Sequence, residues 1–263
     1  MRFAANLSFL FADAPFEARF GRAARAGFRA VELLFPYEHD FSRLKTLIVA
    51  NDLRLALFNM PPGDWDKGER GLACLPGREA EFREGVGNAI DHAQRLGNRL
   101  VHCMAGIAPA GVDPAVLEDS YVASLGFACK EAAKAGLTVT IEPINQTDMP
   151  GYFLTSMEQA ERIRARIGAA NLKLQFDAYH CAMSGRDPVE EWRLHHAQIA
   201  HVQIAGCPGR HEPDTTQMTA LLEVLAADSY SGFIGSEYHP RGLTEAGLGW
   251  LRPRADRGDN PVR

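Results

Sequence analysis

The sequence predicts an α/β fold, specifically a single-domain (β/α)8 TIM barrel. A length of 263 residues suits one such barrel better than two ordinary domains. Short apolar runs alternate with longer amphipathic segments, which is the pattern of repeated βα units around a parallel sheet. Hydrophobic residues make up 46% of the chain, so a large buried core is available.

Eight short apolar runs are predicted as strands, the number that a closed barrel of this type requires. The last five of them lie roughly 30 to 40 residues apart, as strand-plus-helix units should. The predicted strands are Arg2–Asn6, Ala30–Leu34, Leu53–Phe58, Arg99–Met104, Leu137–Ile141, Leu172–Phe176, Ala200–Ile204 and Gly232–Ser236.

Three predicted helices each end directly before a glycine. A glycine in that position adopts the left-handed backbone conformation that commonly closes a helix. The helices are Phe16–Ala26 before Gly27, Arg78–Leu96 before Gly97, and Ala115–Ala135 before Gly136.

The connection after the third strand, Asn59–Gly77, is unusually long and contains proline, glycine and charged residues. Long loops in compact domains are usually functional, and in a barrel this loop would lie on the catalytic face as a candidate cover. A plain surface excursion is the alternative. We assign residues 1–255 to the barrel and residues 256–263 to a loosely ordered C-terminal tail.

Composition and charge exclude several classes of protein. The net charge of -5 argues against a nucleic-acid partner, which would normally require a basic patch. No apolar run approaches the ~20 residues that span a bilayer, so no membrane association is expected. The stretch after Arg2 resembles a weak signal peptide, but Asn6 and Ser8 interrupt it, and we interpret it as the first strand.

The five cysteines are scattered and form no CxxC pair, which argues against a disulfide framework or a thiolate zinc site. A reducing compartment, and therefore a cytoplasmic location, is the expectation. The chain contains no GxGxxG motif or phosphate-binding loop, so no nucleotide cofactor is implied. Self-association into a homo-oligomer is left open.

Four oxygen-bearing side chains lie at or just past the ends of the last four predicted strands. They are Glu142, Asp177, Gln203 and Glu237. Barrel active sites gather at the C-terminal strand ends, and adjacent strands are only ~4.8 Å apart, so these side chains can converge. Carboxylates brought together without a cation would repel one another, and an all-oxygen donor set suits one Mg²⁺ or Mn²⁺ ion better than Zn²⁺. The alternative is that each acid merely caps a helix or forms a surface ion pair.

Further polar residues follow these strands. His180 lies three residues after Asp177 and is suited either to donating to a substrate oxygen or to a structural hydrogen bond. Arg210, in the segment GCPGRHEP, is suited to binding a carboxylate with its forked guanidinium. Glu32 fits either the bottom of the barrel or the site, and its role is left open.

At these residues the sequence resembles the hydroxypyruvate isomerase family, within the larger xylose-isomerase-like barrel superfamily. The resemblance extends over nearly the whole chain, and some segments are closer to the related 2-oxo-tetronate isomerases. The segments that carry it are RFAANLSFLF, GFRAVELLFPY, PPGDWDKGERGLACLPGRE, IEPIN with DMPGYFLT, QFDAYH, HVQIAGCPGRHEP and EYHPRGLTEAGLGW.

The resemblance implies an intramolecular oxidoreductase that interconverts hydroxypyruvate and tartronate semialdehyde through an enediolate. In this reading Glu142 and Glu237 are the catalytic acid/bases, and both also bind the metal together with Asp177 and Gln203. His180 and Arg210 bind the substrate, a small hydroxy-carbonyl acid.

Four alternatives remain. A 2-oxo-tetronate isomerase comes first and a ketose 3-epimerase or an inosose dehydratase second, although the epimerases have histidine in place of Gln203. A metal-dependent endonuclease and a non-catalytic binding protein are further rivals.

Overall fold

Eight parallel strands form a closed barrel in the order of the sequence, with the first strand paired to the last. The structure is a computed structural model, and it describes residues 1–251. The predicted barrel end at residue 255 and the predicted tail over residues 256–263 lie outside the described residues. The strands are β1 (Arg2–Asn6), β2 (Ala30–Leu33), β3 (Arg54–Asn59), β4 (Leu100–His102), β5 (Thr138–Ile141), β6 (Leu172–Asp177), β7 (Ile199–Ile204) and β8 (Phe233–Ser236).

The helices follow the strands and cover the outside of the barrel. They are α1 (Phe16–Arg25), α2 (Phe41–Ala50), α3 (Glu79–Leu96), α4 (Pro114–Lys134), α5 (Met157–Ile167), α6 (Ala178–Met183), α7 (Pro188–His195), α8 (Thr216–Ala227) and α9 (Thr244–Gly247). The predicted barrel is therefore confirmed, and every predicted strand and helix boundary falls within two residues of the observed one. None of the helices in residues 1–251 combines the length and apolar character needed to cross a membrane. All five cysteines are free thiols in the structure.

Local chemistry explains where several helices begin and end. The side chains of Asp40 and Ser156 accept hydrogen bonds from backbone N–H groups in the first turns of α2 and α5. Gly97 closes α3 in the left-handed conformation, with φ of 76°, as its position in the sequence predicts.

The inside of the barrel changes from small and apolar to polar along its axis. Ala4, Ala30 and Ala56 pack together with Phe233 at the N-terminal end of the strands. Toward the C-terminal end the buried inward-facing residues become polar, because side chains on a strand alternate between its two faces. This polar layer contains Asn6, Glu32, Thr140, Gln175, His201 and Gln203.

The sequence left open whether Glu32 lies at the bottom of the barrel or near the site. The structure places it in this polar layer, level with Asn6 at the end of β1 and therefore on the side of the site. Its carboxylate is fully buried and contacts His201 Nε2 at 2.5 Å and Gln203 Nε2 at 2.9 Å. Gly235 on β8 makes room for it, since a Cβ atom there would lie 2.2 Å from Glu32 Oε1. The absence of a side chain at Gly235 thus allows a buried acid to stand beneath the strand ends.

The long loop Asn59–Gly77 is fixed to the C-terminal end of β4. The backbone N–H of Cys74 donates to the carbonyl oxygen of Ala105 at 2.8 Å. Gly71, with φ of 111°, approaches so closely that a Cβ atom there would lie 2.3 Å from the carbonyl oxygen of Met104. The loop therefore stands on the face of the barrel where the strands end.

We predict that Gly235→Ala destabilises the protein by about 1–3 kcal/mol, the usual cost of overpacking a close-packed interior. The added methyl group would collide with Glu32 and disturb its contact with His201. The measurement is urea unfolding followed by circular dichroism.

Gly126→Ala is the matched control, because Gly126 lies within α4 and a Cβ atom there meets open space. This control should be as stable as the wild type or more stable by up to about 1 kcal/mol, since alanine favours a helix over glycine. Equal stability of the Gly235→Ala variant and the wild type would contradict the steric argument.

Candidate active site

The four predicted oxygen donors meet at the C-terminal end of the barrel. Glu142 directly follows β5, Asp177 ends β6, Gln203 lies in β7 and Glu237 directly follows β8. Each is buried, with at most 8% of its surface exposed. The closed barrel supplies the proximity, because β6 pairs with both β5 and β7, and β7 with β8.

Glu142, Asp177 and His180 form the tightest group of ligand-type side chains at this end of the barrel. Each offers one atom such that the three atoms lie within 4.8 Å of one another. The Nε2 atom of His180 lies 3.7 Å from Asp177 Oδ2. The structure therefore brings the predicted substrate-binding histidine beside two of the predicted metal ligands.

The protonation of His180 follows from its contact with Asn145. The Oδ1 atom of Asn145 accepts from the backbone N–H groups of Thr147 and Asp148, so its amide nitrogen must face the other way. That nitrogen donates to Nδ1 of His180 at 2.6 Å. A neutral His180 consequently carries its proton on Nε2, the atom facing the site, and is a hydrogen-bond donor there.

Glu237 accepts from three nitrogen donors. Arg210 Nη2 lies 2.6 Å from its Oε1 atom, while Asn6 Nδ2 and Gln203 Nε2 lie 3.0 and 2.6 Å from its Oε2 atom. Arg210 Nη2 also lies 3.5 Å from Asp177 Oδ2. Arg210 thereby joins two of the acids, and both ends of the Glu237 carboxylate are fixed.

The amide of Gln203 presents its nitrogen to the acids and its oxygen to Gln175. Its Oε1 atom accepts from Gln175 Nε2 at 2.7 Å, and Gln175 Oε1 in turn accepts from the hydroxyl of Thr140 at 3.1 Å. Metal ligation by Gln203 requires the opposite face of the amide. Its role as a ligand therefore stays a prediction.

Burial raises the pKa values of the acids. It raises the pKa of Glu142 well above the ordinary range, and the negative charges of Asp177 and Glu237 raise it further. Burial raises the pKa of Glu237 to about 7, although Arg210 opposes the shift, and it also raises the pKa of Asp177. Three acids with one guanidinium among them form a site that would gain stability from additional positive charge.

Two aromatic rings flank the guanidinium of Arg210. Its guanidinium carbon lies 5.5 Å from the centre of the Phe9 ring and 5.0 Å from that of Tyr179. Burial alone would lower the pKa of Arg210, but Glu237 and Asp177 raise it overall. Its backbone adopts a φ of 49°, a conformation that is unfavourable for a residue with a side chain. This strained backbone conformation places the guanidinium beside the acids at the C-terminal end of the barrel.

Three polar residues of the site were not identified from the sequence. Asn6 and His102 are the last residues of β1 and β4, and Asn145 lies in the segment that follows β5. His102 Nδ1 lies 3.1 Å from Asn59 Oδ1, and burial lowers its pKa to about 3. Its Nε2 atom has no hydrogen-bond partner among the residues that the structure describes. Their position at strand ends is the signal that would have identified Asn6 and His102.

Comparison with known proteins shows the family to which the chain belongs. A family model described as xylose isomerase-like TIM barrel matches residues 20–254. The 2-oxo-tetronate isomerase of Cupriavidus necator is 51% identical over 97% of this chain and 99% of its own length. The hydroxypyruvate isomerase of Escherichia coli is 43% identical over 96% of this chain and 99% of its own.

Solved structures have the same fold. A crystal structure described as AP endonuclease, family 2, from Brucella melitensis is 42% identical, with a TM-score of 0.93 over 96% of this chain and 98% of that one. A D-psicose 3-epimerase from Clostridium cellulolyticum has a TM-score of 0.78 at 16% identity over 99% of this chain and 93% of its own, which shows the fold alone. On the family model and the full-length isomerase relatives, the chain belongs to the xylose isomerase-like TIM barrel family, as its motifs predicted.

Proposed function

We propose that this protein is a metal-assisted isomerase that moves a proton between adjacent carbons of a short hydroxy-carbonyl acid. One observation carries the proposal: Glu142, Asp177 and Glu237 are buried together at the strand ends, beside the half-buried cation of Arg210. Two glutamates serve as proton acceptor and proton donor, and the arginine matches a substrate carboxylate. The relatives named as isomerases support the same class of reaction.

The donor set fits one divalent metal of the Mg²⁺ or Mn²⁺ class. The carboxylates of Glu142, Asp177 and Glu237 would hold it, and Gln203 would join them with its amide turned over. His180 is the less suitable ligand because its Nε2 atom carries a proton. When bound, such an ion stabilises negative charge that develops on the substrate oxygens.

The chain's own residues have distinct roles in this proposal. One glutamate removes a proton from the hydroxyl-bearing carbon, and the other returns one to the neighbouring carbonyl carbon. The proton of the original hydroxyl group passes to the former carbonyl oxygen, so that the hydroxyl and carbonyl groups exchange places. His180 donates its Nε2 proton in a hydrogen bond to a substrate oxygen, and Arg210 binds the substrate carboxylate with its forked guanidinium. The buried position of these groups keeps water from competing for the proton.

The substrate that should be tested first is 2-oxo-tetronate. The sequence motifs led to hydroxypyruvate as the first expectation and 2-oxo-tetronate as the alternative. The identity of 51% to a 2-oxo-tetronate isomerase exceeds the 43% to a hydroxypyruvate isomerase over nearly the same length. A side-by-side assay of the two acids decides between them.

The endonuclease alternative has less support in the site. The Brucella melitensis structure carries that description, but the acids here are deeply buried and the chain has a net charge of -5. A DNA backbone requires an accessible, basic surface.

The free thiols fit the predicted cytoplasmic location, which stays a prediction. Assembly into a homo-oligomer also stays a prediction.

We predict that Glu142→Gln and Glu237→Gln each reduce isomerisation by about 10²–10⁴-fold, the usual size of a general acid–base contribution. Each variant keeps the shape and an oxygen atom but loses the base. The measurement is turnover at saturating Mn²⁺, together with deuterium exchange from solvent into the substrate. Near-normal rates in both variants, with metal retained, would show that the glutamates are ligands only.

We predict that Arg210→Ala lowers kcat/KM for the acidic substrate about 10–100-fold more than it lowers the rate of solvent-deuterium exchange into erythrulose, an uncharged ketose. A hydrogen bond to a charged group contributes about 1.5–3 kcal/mol, which corresponds to that factor. Arg210→Lys is the control, because it keeps the charge and loses the fork. Equal losses on both compounds would mean that Arg210 acts only by holding Glu237.

We predict that Mn²⁺ affinity increases at least about tenfold between pH 6 and pH 8. A carboxyl group with a pKa of about 7 holds a proton at the lower pH, and metal binding must displace it. Titration calorimetry at the two pH values is the measurement. Glu237→Gln, which lacks this proton, should show a shallower pH dependence, and a wild-type affinity that is independent of pH would refute the assignment.

A further inference from the structure

A second cluster of ligand-type side chains lies outside the barrel, between α5 and α7. Glu158 and Glu161 are on α5, and Glu191 and His195 are on α7. Among the described residues, Glu158, Glu191 and His195 each offer one atom such that the three lie within 4.8 Å of one another. None of them belongs to the catalytic site described above.

Two members of this cluster have buried side-chain atoms without hydrogen-bond partners. Glu191 is 4% exposed and His195 is 6% exposed. Within residues 1–251, no hydrogen bond is formed by either ring nitrogen of His195 or by the Oε2 atom of Glu191. Leaving such groups unsatisfied is costly, so their convergence indicates a ligand.

The spacing of these atoms matches two ligands on one ion. Glu191 and His195 are four residues apart on α7, which places them on one face of the helix. His195 Nε2 lies 3.6 Å from Glu191 Oε2, too far for a hydrogen bond. Two ligands bound at 2.0–2.2 Å to a tetrahedral ion are separated by about 3.3–3.6 Å.

Glu161 occupies the position of a carboxylate that orients a metal-binding histidine. Its Oε1 atom lies 3.2 Å from His195 Nδ1, the ring nitrogen on the other side from Glu191. A metal-bound imidazole commonly directs its second nitrogen at a carboxylate, which fixes the tautomer and the ring orientation. Nε2 of His195 is then left as the metal ligand.

The charge of the cluster also favours a divalent cation. Arg186 forms ion pairs with Glu158 and with Oε1 of Glu191, which leaves Oε2 of Glu191 available. With His195 neutral, one guanidinium offsets only one of the three glutamates. A divalent ion would compensate the two remaining negative charges.

We propose that Glu158, Glu191 and His195 form a second metal site of the Zn²⁺ class, with water completing the coordination and Glu161 as the orienting carboxylate. One imidazole and carboxylates suit Zn²⁺, in contrast to the all-oxygen set inside the barrel. The site would join α5 to α7 and is independent of the catalytic proposal.

Equilibrium dialysis of the full-length protein against Zn²⁺, with metal content measured by atomic emission, tests this proposal. The wild type should bind one equivalent more than His195→Gln. His196→Gln is the matched control, because His196 is the exposed neighbour outside the cluster, and it should bind as much as the wild type. Glu161→Gln should weaken binding at this site about 10–100-fold, the usual effect of removing an orienting carboxylate.

Equal Zn²⁺ content in the wild type and His195→Gln would overturn the proposal. Should His195→Gln fail to fold, Glu161→Gln decides the question, because its side chain is partly exposed. Unchanged Zn²⁺ affinity in that folded variant would equally overturn the proposal.

Discussion

The burial of carboxylates inside the barrel is the constraint on which the candidate site depends. A charged acid in a poorly solvated interior is unfavourable unless it is paired, and this chain buries Glu32, Glu142, Asp177 and Glu237 at one end. Three of them have defined donors: Glu32 contacts His201, Asp177 accepts from the backbone of α6, and Glu237 is held by Arg210. Among residues 1–251, Glu142 has no comparable set of donors, and its pKa is raised well above the ordinary range. A further cation near Glu142 would therefore stabilise the charged form of this carboxylate.

A chain of amide side chains determines which hydrogen-bond donors face the buried acids. The hydroxyl of Thr140 donates to Gln175, whose amide nitrogen donates to Gln203, whose nitrogen then donates to Glu237. Each step fixes the direction of the next amide, because the oxygen of one faces the nitrogen of another. Reversing Gln203 toward a metal would require the hydrogen bond to Gln175 to change as well. Ligation by Gln203 is thus coupled to residues beneath the site.

The fold and the positions of the acids could be predicted from the sequence, whereas their contacts could not. Strand periodicity and helix-terminal glycines are local properties, and the rule that barrel sites lie at strand ends places Glu142, Asp177 and Glu237 together. The proton position on His180 depends on Asn145, which is 35 residues away and is itself fixed by a turn. The burial of Glu32 depends on the missing side chain of Gly235 on another strand. Such long-range contacts leave no local pattern in the sequence.

Under the proposed function, the centre of the site and its rim would have different parts in substrate selection. Glu142, Glu237, His180 and Arg210 would act on the reacting carbons and the carboxylate, which three-carbon and four-carbon acids share. The additional hydroxyl-bearing carbon of 2-oxo-tetronate must therefore be accommodated by residues away from this centre. The long loop Asn59–Gly77 stands on the same face and is held against the segment after β4 by a backbone hydrogen bond and a close glycine contact, so it forms a wall beside the strand ends. Under the proposed function, substrate length is consequently expected to be selected by the packing of this loop, while the chemistry would take place at the strand ends.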